Sequence, residues 1–412
     1  MPQDKPNVRR ALSHVGGEVV TQGDPTRSKL LAEALDVATS EVAEEAARAH
    51  VHGFHSYPAR MHPTTAERLV EAFSAPSEFV LDPFCGSGTV LVEARLHGRR
   101  AIGVDANPLA VRLAERKTRD SSEAERQLLV EVARDVSAQA DERRKAKSGP
   151  TRRYGHADLE LFDRHVLLEL DGIRAAIDRV SDRTLRGDLE LVLSSMLTKL
   201  SRRTSDTSDR ELPRRIAAGY PARLFVRKTE ELAARLAEAS SKISSTERTL
   251  RARVLEGDAR VLERVSDKSI DLVVTSPPYP GVYDYLAHHE ARLRWLRLKP
   301  ETFSRVEIGA RRTLDSLGPT DGVSRWAQEI SEVLVALSRV LRPKGNIVLL
   351  IADSVVAGRA VYAVDLLRRI APAAGLLVDA VASQPRPHFH APTSRVFEAR
   401  PREEHAVLLV RG

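Results

Sequence analysis

The chain has 412 residues, a formal net charge of +7 and one cysteine, Cys85. One cysteine excludes a disulfide framework and a cysteine-rich zinc site within the chain. No apolar run reaches the roughly 18 residues that a membrane-spanning helix requires. The excess of basic residues favours a polyanionic partner. We therefore expect a soluble, intracellular protein.

Residues 1–50 combine a polar, glycine-containing start with a stretch rich in Ala, Glu and Leu, which predicts an N-terminal helical arm. The motif at 55–63 then places two prolines and Tyr57 ahead of an amphipathic helix predicted over 64–73. This region also holds three histidines, which are His52, His55 and His62. Their spacing matches no zinc pattern, so we predict no metal site.

A strand, a glycine loop and a helix follow. The strand predicted over 79–82 ends at Asp82, and a loop with Gly86 and Gly88 precedes the helix. Glycines permit backbone geometries and a close ligand approach that a Cβ would block, and the helix N-terminus offers unpaired N–H groups. This is the general form of a nucleotide-cofactor loop. The loop lacks the lysine and the spacing of a P-loop, so triphosphate binding is not expected.

A second strand, predicted over 101–105, ends in Asp105 about 20 residues after the glycines. An acid at this position is placed to bind the two hydroxyls of a ribose. The alternation of strand and helix then stops between about 119 and 250, where charged helical patterns predominate. Within this insertion, residues 199–228 hold nine Lys or Arg against three acids. This mixture suits phosphate contacts, and a solvated helical face is the alternative.

The alternation resumes at about residue 251 with a strand before Asp258, which is placed to accept a hydrogen bond from an adenine amino group. An apolar strand predicted over 270–274 then meets two prolines, which end it. The loop that results consists of Ser276, Pro277, Pro278 and Tyr279. Its carbonyls have few internal donors, so it can accept hydrogen bonds from an exocyclic amino group while the tyrosine stacks on a base. A structural Pro-Pro turn with a core tyrosine is the alternative.

Together these motifs resemble the bacterial amino-methyltransferases, which modify DNA at exocyclic nitrogens with S-adenosyl-L-methionine. Five motifs occur in compatible order, and the resemblance covers most of 52–120 and 251–411. It implies an α/β fold, a doubly wound Rossmann-like sheet with an antiparallel last strand and a large helical insertion. The implied parts are the N-terminal arm (1–50), the catalytic domain (51–120 and 251–412) and the insertion (121–250), which is the candidate target-recognition region.

The resemblance also assigns residues. The expected cofactor contacts are Tyr57, Asp82, Phe84, Gly86, Ser87, Gly88, Thr89, Asp105 and Asp258. The expected catalytic residues are Ser276, Pro277, Pro278 and Tyr279. The residues expected to contact double-stranded DNA come from the basic insertion segment and from a long basic loop before the last strand; they are Arg202, Arg203, Arg214, Arg215, Arg386 and Arg395. Localisation is expected to be cytoplasmic and nucleoid-associated.

Ser276 favours one reaction within the family. Ser-Pro-Pro-Tyr is typical of cytosine-N4 enzymes, whereas Asp- or Asn-Pro-Pro-Tyr is typical of adenine-N6 enzymes. The resemblance therefore implies transfer to cytosine N4 in duplex DNA by base flipping and direct displacement. Adenine-N6 transfer, guanine-N2 transfer in structured RNA and an inactive cofactor-binding DNA-binding subunit are the alternatives, and a partner restriction endonuclease is left open. Methylation at carbon 5 of cytosine is disfavoured, because that reaction needs a cysteine at the catalytic loop and the single cysteine, Cys85, lies in the cofactor loop.

Overall fold

The computed structural model describes residues 17–37, 40–204, 214–243, 250–386 and 395–412. An eight-stranded sheet lies at its centre, with strand order β1-β9-β10-β6-β5-β2-β3-β4, and β7 pairs with β8 in a separate hairpin. The strands are β1 (Val20–Gly23), β2 (Phe79–Asp82), β3 (Arg100–Asp105), β4 (Ala252–Glu256), β5 (Ile270–Thr275), β6 (Leu341–Ala352), β7 (Ser354–Val356), β8 (Arg359–Val361), β9 (Leu376–Pro385) and β10 (Glu403–Arg411).

The directions of the strands define a doubly wound sheet. Strands β4, β3, β2, β5 and β6 are parallel neighbours, and β10 runs antiparallel between β6 and β9. The order of the strands reverses between β2 and β5, and ligands of open α/β sheets bind outside the carboxyl ends of the strands at such a point. The predicted doubly wound α/β sheet, with its antiparallel last strand, is confirmed.

Helices cover both faces of the sheet. They are α1 (Pro25–Leu35), α2 (Glu41–Ala46), α3 (Pro63–Phe73), α4 (Thr89–Leu96), α5 (Pro108–Thr118), α6 (Glu123–Lys145), α7 (His156–Leu161), α8 (Arg164–Ile177), α9 (Arg183–Leu200), α10 (Tyr220–Lys242), α11 (Tyr285–Leu296), α12 (Glu301–Val306), α13 (Arg311–Val340) and α14 (Ala363–Ile370). Successive strand residues point to opposite faces. Val80 accordingly packs with the core under α1, α3 and α4, and Leu81 packs with the core under α13 and α14.

In addition to helices, the N-terminal region contributes a strand to the sheet, which the sequence does not indicate. Strand β1 pairs antiparallel with β9 at the edge of the sheet, and Leu31 and Leu35 of α1 are buried in the core of one sheet face. The four β1 residues, Val-Thr-Gln-Gly, are all exposed. They therefore lack the apolar alternation by which a strand is recognised in sequence.

The insertion forms a helical layer with its own apolar core. Helices α6, α8, α9 and α10 pack around this core, which continues through Leu113 of α5 and Trp295 of α11 outside the insertion. Helix α10 begins at Tyr220, with Pro221 in its first turn. Proline is compatible with the first turn of a helix because its missing N–H is not needed there. Within the described residues, no helix combines the length and the apolarity that crossing a bilayer requires.

Candidate active site

A cavity opens at the carboxyl ends of the central parallel strands, with an empty volume of about 890 Å³ counted to its mouth. Ten of the predicted site residues line it: Tyr57, Asp82, Phe84, Gly86, Ser87, Thr89, Asp105, Asp258, Ser276 and Pro278. The structure thus brings together the predicted cofactor residues, except Gly88, with two residues of the Pro-Pro loop.

Gly88 lies behind the cavity wall. It is the N-cap residue of α4 with φ 84°, and a Cβ at this position would lie 3.0 Å from the Cα of Ala114 on α5. Gly88 therefore permits the left-handed turn and the close packing of two helices. Gly86 also has a positive φ, of 48°, and a Cβ there would lie 3.2 Å from the Tyr57 ring.

Asp82 connects the cofactor loop to the strand that carries the Pro-Pro loop. Its Oδ1 accepts hydrogen bonds from Thr275 Oγ1 at 2.6 Å and from the Phe84 N–H at 3.1 Å. Burial raises the pKa of Asp82 to about 7, although the hydrogen bonds from Thr275 and Phe84 act in the opposite direction. The two loops are therefore held in a fixed relation by one buried carboxyl group.

Asp105 organises the backbone around the second strand end. Its Oδ2 accepts from the Gly86 N–H at 2.8 Å, and its Oδ1 accepts from the Asn107 N–H at 2.8 Å. Burial raises the pKa of Asp105 to about 6, against the effect of these backbone hydrogen bonds. A carboxylate oxygen accepts more than one hydrogen bond, so Asp105 retains capacity for a ligand hydroxyl.

Ser87 and Thr89 are buried at the N-terminus of α4, with relative exposures of 2% and 4%. Among the described residues, their hydroxyl oxygens have no hydrogen-bond partner, and both residues line the cavity. Buried polar groups are nearly always paired, and a helix N-terminus favours an anionic group. These hydroxyls fit the carboxylate of an amino acid such as the methionine part of S-adenosyl-L-methionine.

Asp258 completes the predicted cofactor side. Its carboxylate is paired with Arg260 at 2.8 Å, and it also accepts from the Arg260 N–H at 2.9 Å. An apolar wall that the sequence motifs do not indicate is formed by Phe303, Val306 and Ile308, at and beyond α12. The spacing of Phe303 and Val306, three residues apart, is a weak helical signal for that wall.

The Pro-Pro loop begins directly after β5. Ser276 Oγ donates to Tyr279 Oη at 3.3 Å, Pro277 is buried and Tyr279 is half-buried outside the cavity wall. The indole Nε1 of buried Trp326 donates to the Pro278 carbonyl at 2.9 Å. The loop carbonyls are expected to have few internal donors, and Trp326 is one donor that this expectation does not identify. Trp326 lies almost 50 residues further along the chain, so the local sequence does not reveal this contact.

The predicted DNA contacts differ in how accessible they are. Arg202 pairs with Asp163 at 2.7 Å, and Arg214 donates to the backbone carbonyls at the end of α9. Arg203 is half-buried, and Arg215 and Arg395 are exposed. Segments 205–213 and 387–394, which belong to the two predicted basic regions, lie outside the described residues.

Arg386 is a correction to the predicted set. Its side chain is 3% exposed and its Nε lies 3.0 Å from Glu404 Oε2. A guanidinium buried in an ion pair does not present itself to a phosphate group. The sequence places Arg386 in a basic loop, whereas Glu404 lies 18 residues further on, on the next strand.

One buried arginine of α11 connects the C-terminal end of α9 to the motif at 55–63. Arg292 of α11 is buried, and its Nη2 donates to Thr198 Oγ1 at 2.9 Å and to Ser56 Oγ at 3.0 Å. Ser56 precedes Tyr57 of the cavity wall. The insertion segment with Arg203 and Arg215 therefore lies beside the motif at 55–63.

The carboxylate of Glu93 lies beside His52, a contact that the sequence does not indicate. His52 Nε2 lies 2.5 Å from Glu93 Oε1, and both side chains are buried. Burial raises the pKa of Glu93 to about 8. Burial and the positive charges of Lys242 and Lys117 lower the pKa of His50 to about 4. A metal ion beside His50, His52 and Glu93 would face the same positive charges, so we assign no metal to this cluster.

A comparison with protein families matches part of the chain that forms this cavity. Residues 24–116 match the model of the N6/N4 methyltransferase family, described as DNA methylase. The chain is related to the DNA amino-methyltransferases. The matched segment contains Tyr57, the glycine loop and Asp105, whereas the Pro-Pro loop lies outside it. The cofactor of these enzymes is S-adenosyl-L-methionine, and the hydroxyls of Ser87 and Thr89 suit its carboxylate.

Individual relatives match parts of the chain. The Type II methyltransferase M.MvaI from Kocuria varians is 25% identical over 282 residues, which cover 62% of this chain and 59% of that protein. The Type II methyltransferase M.MjaII from Methanocaldococcus jannaschii is 34% identical over 82 residues, or 20% of this chain and 16% of that protein. The chain thus spans less than two thirds of the length of these relatives.

Among solved structures, a TehB-like SAM-dependent methyltransferase from Corynebacterium glutamicum matches with a TM-score of 0.31 and 12% identity, covering 84% of this chain and 87% of that one. Because a TM-score this low carries no argument about the fold, the fold assignment rests on the strand order.

Proposed function

We propose that this protein is a site-specific DNA methyltransferase that transfers a methyl group from S-adenosyl-L-methionine to the exocyclic N4 of cytosine in duplex DNA. The observation that carries this proposal is the shared cavity: Ser276 and Pro278 line it together with Ser87 and Asp105 of the cofactor side. The hydrogen bond from Thr275 to Asp82 joins the two sides. A cofactor bound in this cavity and an acceptor base held at Ser276 would lie next to each other.

The cofactor, when bound, supplies an electrophilic methyl group. The amino nitrogen of cytosine is a weak nucleophile because its lone pair is conjugated with the ring. A hydrogen bond from that amino group to Ser276 Oγ, together with a loop carbonyl near Pro277, draws the lone pair out of conjugation and directs it at the methyl group. Such positioning supplies most of the rate when little acid–base chemistry is needed.

The target base must leave the duplex, because the reacting atom cannot be reached inside the helix. The half-buried ring of Tyr279 is the surface on which we propose that the flipped base stacks. We propose that exposed Arg215 and Arg395 and half-buried Arg203 contact the phosphates of the DNA. The curated relatives are named Type II methyltransferases, which supports a cognate restriction endonuclease as a partner.

Adenine-N6 transfer is the second candidate, because the matching family model covers both N6 and N4 transfer. Both acceptors present an exocyclic amino group, and only the ring that carries it differs. Ser276 at the first position of the loop favours cytosine.

The experiment is expression in a bacterial host that lacks DNA methylation, followed by mass spectrometry of nucleosides from its DNA and RNA. We expect N4-methylcytosine in DNA and none in cells that express the Ser276→Ala variant. N6-methyladenine would reverse the base assignment. A new methylated guanine in RNA, with unmodified DNA, would contradict the proposal.

A further inference from the structure

Glu404 lies at the start of β10, within reach of the Pro-Pro loop. Tyr279 Oη donates to Glu404 Oε1 at 3.4 Å, and Arg386 Nε donates to Glu404 Oε2 at 3.0 Å. The Glu404 side chain is 16% exposed and that of Arg386 is 3% exposed. The carboxylate is therefore held in place by a buried guanidinium while its other oxygen faces the tyrosine hydroxyl.

A further hydrogen bond joins Ser276 to Tyr279. Together, these contacts determine which oxygen each hydroxyl proton points to. A carboxylate that accepts a hydrogen bond from a guanidinium offers only acceptor oxygens to its other partners. Tyr279 must then donate its proton to Glu404, and its oxygen is free to accept from Ser276, whose Oγ lies 3.3 Å away. The proton of Ser276 is thereby directed towards Tyr279, and its lone pairs are left for the cavity that Ser276 lines.

We propose that Glu404, held by Arg386, is a positioning residue that makes Ser276 an acceptor of hydrogen bonds. The inference rests on the proposed function, because it concerns the same transfer to an amino nitrogen. An amino group only donates, whereas the keto oxygen that replaces it in thymine or uracil only accepts. Glu404 thus selects bases with an exocyclic amino group and holds the nitrogen for attack.

The two hydroxyl contacts are long for O–H···O hydrogen bonds, which are typically about 2.7–2.8 Å. Contacts of this kind are often loose in an active site without its substrate and shorten in the reacting complex. The chain from Glu404 to Ser276 is expected to tighten when a base stacks on Tyr279.

The variant that tests the direction of this chain is Glu404→Gln. An amide places its oxygen towards the Arg386 donor, so its N–H faces Tyr279 and donates to the tyrosine oxygen. Tyr279 then donates to Ser276, which loses its acceptor role toward the base. We expect the single-turnover rate of methyl transfer to fall about 10- to 100-fold, as for a buried polar group left without its hydrogen-bond partner. Cofactor affinity and the thermal unfolding temperature stay close to those of the wild type.

Tyr279→Phe separates positioning from a structural role of Glu404. It keeps the ring for stacking and removes the link between Glu404 and Ser276. We expect a similar loss of rate in Tyr279→Phe, and less than about a twofold further loss when Glu404→Gln is added, because the two residues act as one unit. The inference would be overturned if Glu404→Gln lowered the transfer rate by the same factor in the wild type and in the Tyr279→Phe variant. So would a wild-type rate in Tyr279→Phe, a result that does not depend on the folding of the Glu404 variant.

The assay uses the full chain, tritiated S-adenosyl-L-methionine and unmethylated bacterial DNA, with bacterial RNA as a parallel substrate. The control is Glu398→Gln, an exposed acid outside the site, which should keep the wild-type rate. DNA transfer with no loss in Glu404→Gln overturns the role of Glu404 alone. Transfer to RNA alone overturns the proposed function, while a loss in Glu404→Gln on that RNA still supports the role of Glu404. No transfer to either overturns both.

Discussion

The two sides of the cavity differ in how firmly their polar groups are held. On the cofactor side, Asp105 accepts from two backbone N–H groups at 2.8 Å, and Asp82 accepts from Thr275 at 2.6 Å. On the acceptor side, the contacts of Tyr279 with Ser276 and Glu404 are 3.3 and 3.4 Å long. Short hydrogen bonds from backbone donors fix a site before its ligand arrives. We infer that the cofactor side is formed in advance and that the acceptor side is completed by a flipped base.

The largest expected effect is on the acceptor side. Tyr279→Ala removes both the stacking surface and the hydroxyl beside Ser276. We expect the single-turnover rate of methyl transfer to DNA to fall about 100-fold or more, since stacking alone contributes about 1–3 kcal/mol per base. Cofactor affinity, measured by calorimetry, should not change, because Tyr279 lies outside the cavity wall. Loss of cofactor binding would show that Tyr279 belongs to the cofactor side instead.

On the cofactor side, Asp105→Ala leaves the N–H groups of Gly86 and Asn107 without their acceptor. The ribose hydroxyls also lose their charged acceptor, and hydrogen bonds to charged groups contribute about 1.5–3 kcal/mol, so we expect S-adenosyl-L-methionine to bind about tenfold or more weakly by calorimetry. Transfer at saturating cofactor should be reduced much less than in Tyr279→Ala. The control is Asp321→Ala, an exposed acid on α13. An affinity equal to that of the wild type would contradict the role of Asp105.

A smaller effect is expected at the basic end of the insertion. Arg215→Ala should weaken DNA binding only a few-fold and lower the slope of log affinity against log salt by about one, as for one lost phosphate contact. Lys29→Ala, on the exposed surface of α1, is the matched control. Binding titrations at several salt concentrations measure both. An unchanged slope would place the DNA elsewhere on the protein.

The smallest expected effect is the pH dependence of stability. Burial raises the pKa of Asp82 from 3.8 to about 7, so the folded protein holds this proton more tightly than the unfolded chain. The resulting stabilisation is fully present below 3.8 and is lost as the pH rises through about 7. The unfolding temperature of the wild type relative to Asp82→Asn should therefore fall between pH 5 and 8, by on the order of a few degrees. A difference that is constant with pH would contradict the assignment.

The cofactor side could be predicted from the sequence because its parts are local. Asp82 and the glycine loop occupy eight consecutive residues, and Asp105 ends the next strand, so strand ends and glycines indicate a ligand at one sheet edge. The acceptor side depends on distant partners. Trp326 and Glu404 reach the loop from positions 48 and 125 residues away, and such contacts leave no local spacing in the sequence. The same reason explains the misplaced Arg386 and the unforeseen contact of His52 with Glu93.

The central claim is that one cavity holds the cofactor with its methyl group directed at Ser276. A crystal structure of the protein with S-adenosyl-L-homocysteine tests it most directly. We predict that the carboxylate of this ligand contacts the hydroxyls of Ser87 or Thr89, that its ribose hydroxyls contact Asp105, and that its sulfur faces Ser276. A ligand bound away from this cavity, or with its sulfur turned away from Ser276, would contradict the account.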